Sequence, residues 1–183
     1  MIRKLRLKYL FGFFRLLIYK VLYGDKVYFE TLYQYLGKNT DISVVSSGKI
    51  FCGNKNYISD GATICAQNGA KIILGSNNFF NKNLYMVAYC SVKIGDNTIF
   101  GPNVIVVDHD HIFLDAHELI CKQGFISKPV TIGSNVWIGG NVTICKGVTI
   151  GDRVVVGANS VVTNDLTSDG LYAGVPAKKI KNI

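Results

Sequence analysis

Residues 128–166 read KPVTIGSNVWIGGNVTICKGVTIGDRVVVGANSVVTNDL, and their spacing decides the fold. An aliphatic residue recurs every six positions, at Ile132, Ile138, Ile144, Ile150, Val156 and Val162. Four places after most of these comes a small or β-branched residue: Val136, Val142, Val148, Val154 and Ser160. A helix returns its apolar face every 3.6 residues and a plain strand every two, so neither explains this period. The pairs Gly133-Ser134, Gly139-Gly140, Gly151-Asp152 and Gly157-Ala158 supply turn chemistry between the apolar positions.

Six residues that make one short strand and one corner, repeated three times, close a triangular coil. One coil cannot bury its own inner face, so several must stack. The pattern predicts an all-β parallel β-helix built of hexapeptide repeats. The same phase holds upstream at Ile94, Phe100 and Val106, with Thr98 and Val104 as the small partners, and more loosely at Ile58, Ile64, Leu74, Phe80 and Met86. The step from Val106 to Ile132 is 26 residues, two more than a multiple of six. Residues 107–131 are therefore expected to leave the coil as an inserted loop, and residues 42–166 to supply about seven coils of roughly 18 residues each.

Composition agrees with one such domain and a small appendage. The chain has 183 residues, 49% hydrophobic and 17% charged, enough apolar content for a core and too little charge for a disordered chain. Gly 19 against Pro 3 excludes collagen and proline-rich linkers. The net charge of +8 is concentrated at the amino terminus: seven Lys and Arg within residues 1–26 face Asp25 alone. The rest is nearly balanced, which argues against a chain-wide nucleic-acid surface. Cys52, Cys65, Cys90, Cys121 and Cys145 are odd in number and form no C-x-x-C pair, as expected of free thiols in a reducing cytoplasm.

Residues 2–23, IRKLRLKYLFGFFRLLIYKVLY, are rich in Leu, Phe and Tyr but broken by Arg15 and Lys20, and no small-residue cleavage site follows. Neither a signal peptide nor a spanning helix is expected. On a helical wheel Lys4, Lys8 and Arg15 share one side, while Leu5, Tyr9, Leu10, Phe13, Leu16 and Leu17 cover the other. This basic amphipathic helix suits either the interface of an anionic membrane or the open end of the following domain. Residues 24–41 read as a connector, so the expected organisation is 1–41 helix and connector, 42–166 β-helix, and 167–183 basic tail.

The blocks NNFFNKNLYM, KIGDNTIFGPNV, DHDH, the stretch from Lys128 to Leu166, and AGVPAKKIKNI resemble the hexapeptide acyltransferases, specifically the galactoside, maltose and nodulation sugar O-acetyltransferases. The resemblance implies a left-handed coil and a homotrimer with active sites between neighbouring prisms. It also implies acetyl-CoA as acetyl donor and a histidine that takes the proton of the attacking hydroxyl. Counting without gaps from Val104 puts that base at His111, with His109 as the alternative and His117 inside the looser loop. Asp108 and Asp110 are candidates to orient an imidazole, though loop carboxylates are commonly just exposed. Asn83 matches an asparagine that contacts the acceptor sugar, and Tyr89 offers a stacking face. The two acidic residues found nearby in the galactoside enzyme are Ala88 and Tyr89 here, so its acceptor specificity does not transfer. Residues 112–128 are expected to wall the acceptor site of an adjacent subunit.

For the donor the resemblance points to Trp137, Gly139, Gly140, Ala158, Thr163, Lys178 and Lys181, with the small residues lining a pantetheine arm and the lysines meeting phosphates. Gly140 stands where the family often has serine, and Asn164 where it often has lysine. A zinc site like that of the hexapeptide carbonic anhydrases is disfavoured, because residues 1–108 contain no histidine. The expectation is an acetyl-CoA-dependent O-acetyltransferase without a metal, acting on a sugar hydroxyl in surface polysaccharide assembly. It would be cytoplasmic and peripheral at the inner membrane face. An acetyltransferase for serine, an antibiotic or a nucleotide-sugar amine, or a non-catalytic trimeric scaffold, are the alternatives.

Overall fold

The computed structural model describes residues 2–183, with side chains from Leu10 onward. A single α-helix, Ile2–Tyr23, precedes a parallel β-solenoid of six complete turns. Each turn contributes one strand to each of three faces. The first face runs from Val27–Phe29 to Thr149–Ile150, the second from Tyr35–Leu36 to Gly170–Ala173, and the third from Asp41–Val44 to Val161–Val162. The terminal strand Lys178–Asn182 turns back antiparallel on Gly170–Ala173.

The six-residue ladder is the inner wall. Ile132, Ile138 and Ile144 belong to successive faces and are each at most 1% exposed, and the four-place partners Val136, Val142, Val148, Val154 and Ser160 are equally buried. Register stacks like on like: Phe80 pairs Phe100 and Phe100 pairs Ile138, with the two phenylalanine rings 5.1 Å apart. Parallel strands of two to four residues carry few hydrogen bonds each. Apolar stacking inside the prism and amide ladders at its corners hold one turn on the next.

Two differences from the sequence reading concern the amino-terminal half. The coil begins at Val27, inside the stretch read as connector. Six turns form rather than seven because the insertion between Val107 and Val130 adds no strand to the prism and because the early turns are longer: Leu36, Ile58 and Phe80 stack 22 residues apart, whereas Ile138 and Val156 stack 18 apart. Four-residue strands such as Lys49–Cys52 and Thr63–Ala66 replace the two-residue strands of the carboxy-terminal turns.

The corner chemistry also sits one residue further on than the glycine pairs. Asn77, Asn83, Asn97, Asn103, Asn135, Asn141 and Asn159 all adopt φ of 56–60°. Asparagine is among the few residues with a side chain that enter this left-handed region at low cost. At the corner between the second and third faces, Asn83, Asn103, Asn141 and Asn159 form a ladder. Each Nδ2 donates to the next Oδ1 at 2.9, 2.9 and 3.0 Å.

The helix packs across the first turns. Gly12 and Leu16 are buried, the Arg15 guanidinium donates to the Leu36 carbonyl at 2.9 Å, and the Tyr19 hydroxyl donates to the Thr40 carbonyl at 2.7 Å. Arg15, assigned by the wheel to the side away from the apolar face, thus faces the protein. The side chains of Lys4, Leu5, Lys8 and Tyr9 lie outside the described residues.

Candidate active site

The inserted segment leaves the prism after Val107 at the corner between the third and first faces and returns at Val130. Its base is an antiparallel hairpin, His109–His111 against Phe125–Ser127, pairing His109 with Ser127 and His111 with Phe125. Asp108 anchors it. Alternation along the strand puts Val106 inward, Val107 outward and Asp108 inward, and the Asp108 side chain is fully buried. Its Oδ1 accepts the N–H of Tyr89 at 2.8 Å, and its Oδ2 accepts those of Cys90 and Ser91 at 2.7 Å each. The carboxylate thereby ties the exit of the hairpin to the same corner of the preceding turn. That inward phase was the signal in the sequence that Asp108 is not a loop surface residue.

The histidines differ in setting. His109 is half-buried, with Nδ1 3.3 Å from Asp108 Oδ1 and its ring 4.2 Å from that of Tyr89. His111 is exposed on the hairpin with its ring 4.3 Å from Phe125, which also contacts Tyr89 at 4.7 Å. Tyr89 therefore lies against an imidazole and a phenyl ring, and Phe125, unmarked in the sequence, links the two histidines. His117 is exposed further out, where its N–H donates to Asp115. Asp110 pairs with Lys146 on the following turn. Burial first, then the Asp110 carboxylate, raise the pKa of the neighbouring Cys145 thiol, which disfavours a nucleophilic thiolate there.

The remaining predicted residues occupy other parts of the prism. Thr163 is exposed just past the third-face strand Val161–Val162, at the same corner as the hairpin. Gly139, Gly140, Ala158 and Asn83 lie at the corner between the second and third faces. Trp137 is exposed on the second face, in register with Ile99 and Val155. Lys178 and Lys181 are exposed on the terminal strand over that face, while Lys179 lies 5.9 Å from the Tyr172 ring centre. Within one chain, then, the histidines and the Gly139-to-Ala158 row stand at opposite edges of the third face. Six residues at about 3.3 Å each set that separation at roughly 20 Å.

The small residues do not all serve an exposed groove. Gly139 is buried, and a Cβ there would come within 2.5 Å of the Ala158 nitrogen, so its smallness is required by turn-on-turn stacking. Gly140 is partly open, and a Cβ would meet the Pro102 ring at 3.2–3.4 Å and the Pro102 carbonyl oxygen at 3.4 Å. Gly140 and Ala158 thus leave a shallow edge that a thin chain can follow, with Trp137 and the exposed lysines beyond it, a set of residues compatible with a phosphorylated pantetheine donor. A cavity of about 600 Å³ lies elsewhere, between Phe13 on the helix and Tyr35 and Tyr57 on the second face, and contains none of the histidines. Among the described residues no cluster of three or more His, Cys, Asp or Glu is arranged to hold a metal ion.

Comparison with known proteins decides the family. Residues 129–164 match the model of the bacterial transferase hexapeptide (six repeats). The crystal structure of a hexapeptide-repeat acetyltransferase of Vibrio cholerae O1 biovar eltor, complexed with acetyl-coenzyme A, is 32% identical, with a TM-score of 0.55 over 80% of this chain and 69% of that one. This chain belongs to the hexapeptide-repeat acetyltransferases. Within that family, the galactoside O-acetyltransferase of Escherichia coli K12 is 44% identical over 116 residues, 63% of this chain. The match spans 56% of that relative's length. A maltose O-acetyltransferase structure from Clostridium difficile 630 is 34% identical, with a TM-score of 0.56 over 81% of this chain and 68% of that one.

Proposed function

We propose that the chain transfers acetyl from acetyl-CoA to a sugar hydroxyl. The observation that carries this reading is the hairpin pinned by Asp108, which presents His111 outward at one prism edge. His111 removes the hydroxyl proton as the sugar oxygen bonds to the acetyl carbon. The carbon–sulfur bond of the thioester then breaks, and the proton passes to the departing thiolate. His109, half-buried beside Asp108, is the alternative base. Main-chain N–H groups near Gly140 stabilise the developing oxyanion, since no serine hydroxyl stands there. Trp137, Gly140, Ala158, Thr163, Lys178 and Lys181 hold the donor, and Asn83 and Tyr89 border the acceptor.

The separation of the two edges within one chain supports a homotrimer, in which the histidine edge of one prism meets the Gly140 edge of the next. The basic helix supports an acceptor assembled on a lipid carrier. Capsule, O-antigen or exopolysaccharide assembly at the cytoplasmic membrane face is therefore part of the reading.

The test is thiol release from acetyl-CoA against a panel of sugars and amines, for the parent, His111→Ala and His109→Ala. His111→Ala is expected to lower kcat/KM by about 10²–10⁴ with a sugar acceptor. Undiminished transfer by His111→Ala removes that residue from the mechanism. Turnover with amines alone overturns the hydroxyl acceptor, and a parent that does not bind CoA is a scaffold.

A further inference from the structure

Leu10, Phe14, Ile18 and Val21, flanked by Phe11 and Leu22, form a continuous apolar strip along the side of the amino-terminal helix turned away from the prism. Val21 is 84% exposed and Phe14 53%. The helix cannot roll to bury this strip without losing what fixes it. Gly12 and Leu16 pack on the opposite side, with Gly12 close enough to Leu36 that a Cβ would lie 3.2 Å from its nitrogen. The Arg15 and Tyr19 hydrogen bonds hold the same side, and Tyr19 additionally accepts the Ile42 N–H at 3.2 Å. The sequence is thus apolar on two faces: one serves the fold, and the other is presented to whatever surrounds the protein. A contiguous apolar surface of this kind marks a docking site.

Charge selects the occupant. Residues 1–26 carry seven basic side chains against Asp25, and of these Lys20 and Lys26 are exposed. A second copy docked face to face would bring two such charges together, whereas an anionic lipid surface complements them. No helix among the described residues is long and apolar enough to cross a membrane. We propose that this outward strip lies in the plane of an anionic lipid interface, its aromatic and aliphatic side chains at the acyl boundary and the basic residues among headgroups. The proposal names the surface and the lipid charge that the reading above leaves open. It stands apart from the choice of acceptor, because activity on a soluble sugar does not depend on it.

The test is co-sedimentation of the full chain with vesicles of phosphatidylcholine alone and of phosphatidylcholine mixed with phosphatidylglycerol. A triple variant, Phe14→Glu with Ile18→Glu and Val21→Glu, is run beside it. The parent is expected to partition at least about tenfold more onto the anionic vesicles, with the excess falling as salt rises, and the variant to lose at least about tenfold of that binding. The variant is expected to keep the parent's thermal unfolding midpoint, its mass by light scattering and its acetyl transfer to a soluble sugar. Equal parent binding to both vesicle types overturns the proposal, as does full binding by the variant. A drop in assembly mass in the variant also overturns it, because the strip is then an interface between copies. Should the variant unfold, Lys20→Glu with Lys26→Glu carries the same test through the charge alone.

Discussion

Replacing Asp108 with asparagine tests whether one buried carboxylate holds the base of the histidine hairpin. The side chain accepts three main-chain N–H groups at 2.7–2.8 Å, one through Oδ1 and two through Oδ2. An asparagine supplies a single acceptor oxygen. Placed at the Oδ2 position it keeps the bonds to Cys90 and Ser91, but its NH₂ then confronts the Tyr89 N–H, donor against donor. A hydrogen bond to a charged group contributes about 1.5–3 kcal/mol, and a buried donor without an acceptor costs about 1–3 kcal/mol, so Asp108→Asn should destabilise by roughly 2–5 kcal/mol. Asp108→Ala, which orphans all three donors, should cost more. Urea unfolding at fixed protein concentration measures the loss, and hydrogen exchange locates it. In Asp108→Asn the Tyr89 amide should lose protection, and in Asp108→Ala the amides of all of residues 89–91, while those of Gly139 and Gly157, hydrogen-bonded on other turns, retain it. If Asp108→Asn unfolds within about 0.5 kcal/mol of the parent with the Tyr89 amide still protected, the carboxylate is not the anchor.

Two further outcomes follow from the core and the corners. Burial pushes the Cys52 thiol from 9.0 up to about 12. Because the folded value lies above the unfolded one, the associated stability is full below pH 9 and lost as pH rises toward 12, at up to about 1.4 kcal/mol per pH unit. Chemical denaturation across that range should show the slope in the parent and a flatter one in Cys52→Val; identical slopes would dismiss the assignment. At the corner ladder, Asn141→Ala loses two side-chain hydrogen bonds and strains a residue at φ 57°, for a cost of about 1–3 kcal/mol. Asn141→Gly should recover the backbone part only, and a glycine variant no more stable than the alanine one would remove strain from the account.

The period-six spacing by itself determined the prism, its inner wall and the place where the chain leaves it. An aliphatic residue at every sixth position can be buried only if the chain turns a corner in between. Ile132 to Val162, and Ile94 to Val106 before them, are inner-wall residues for that reason alone. The same arithmetic pointed to an insertion at residues 107–131, of which Val107, Val130 and Thr131 belong to strands of the prism. The number of turns was less legible, because the insertion takes up more residues than one turn without adding to the prism, and four-residue strands such as Lys49–Cys52 stretch the period to 22 and blur the phase. The corner role of asparagine, recurring at 97, 103, 135, 141 and 159, was present in the sequence but masked by the more familiar glycine pairs.

Tertiary structure alone decided what depends on contacts between residues far apart in the chain. Asp108 and Asp110 are two positions apart and chemically alike, yet one is buried on the backbone of residues 89–91 and the other pairs with Lys146 across a turn. His109 and His111 likewise part company through Tyr89, marked in the sequence only as a stacking face for the acceptor, and Phe125, which no local pattern singles out. The helix shows the same division. Composition made it basic and apolar, but only the docking of Gly12, Arg15 and Leu16 onto the first turns determined which apolar face remained outside. A repeat specifies the inner wall because every turn presents the same steric problem there, while the outer surface and the insertion are shaped by unique, non-repeating partners.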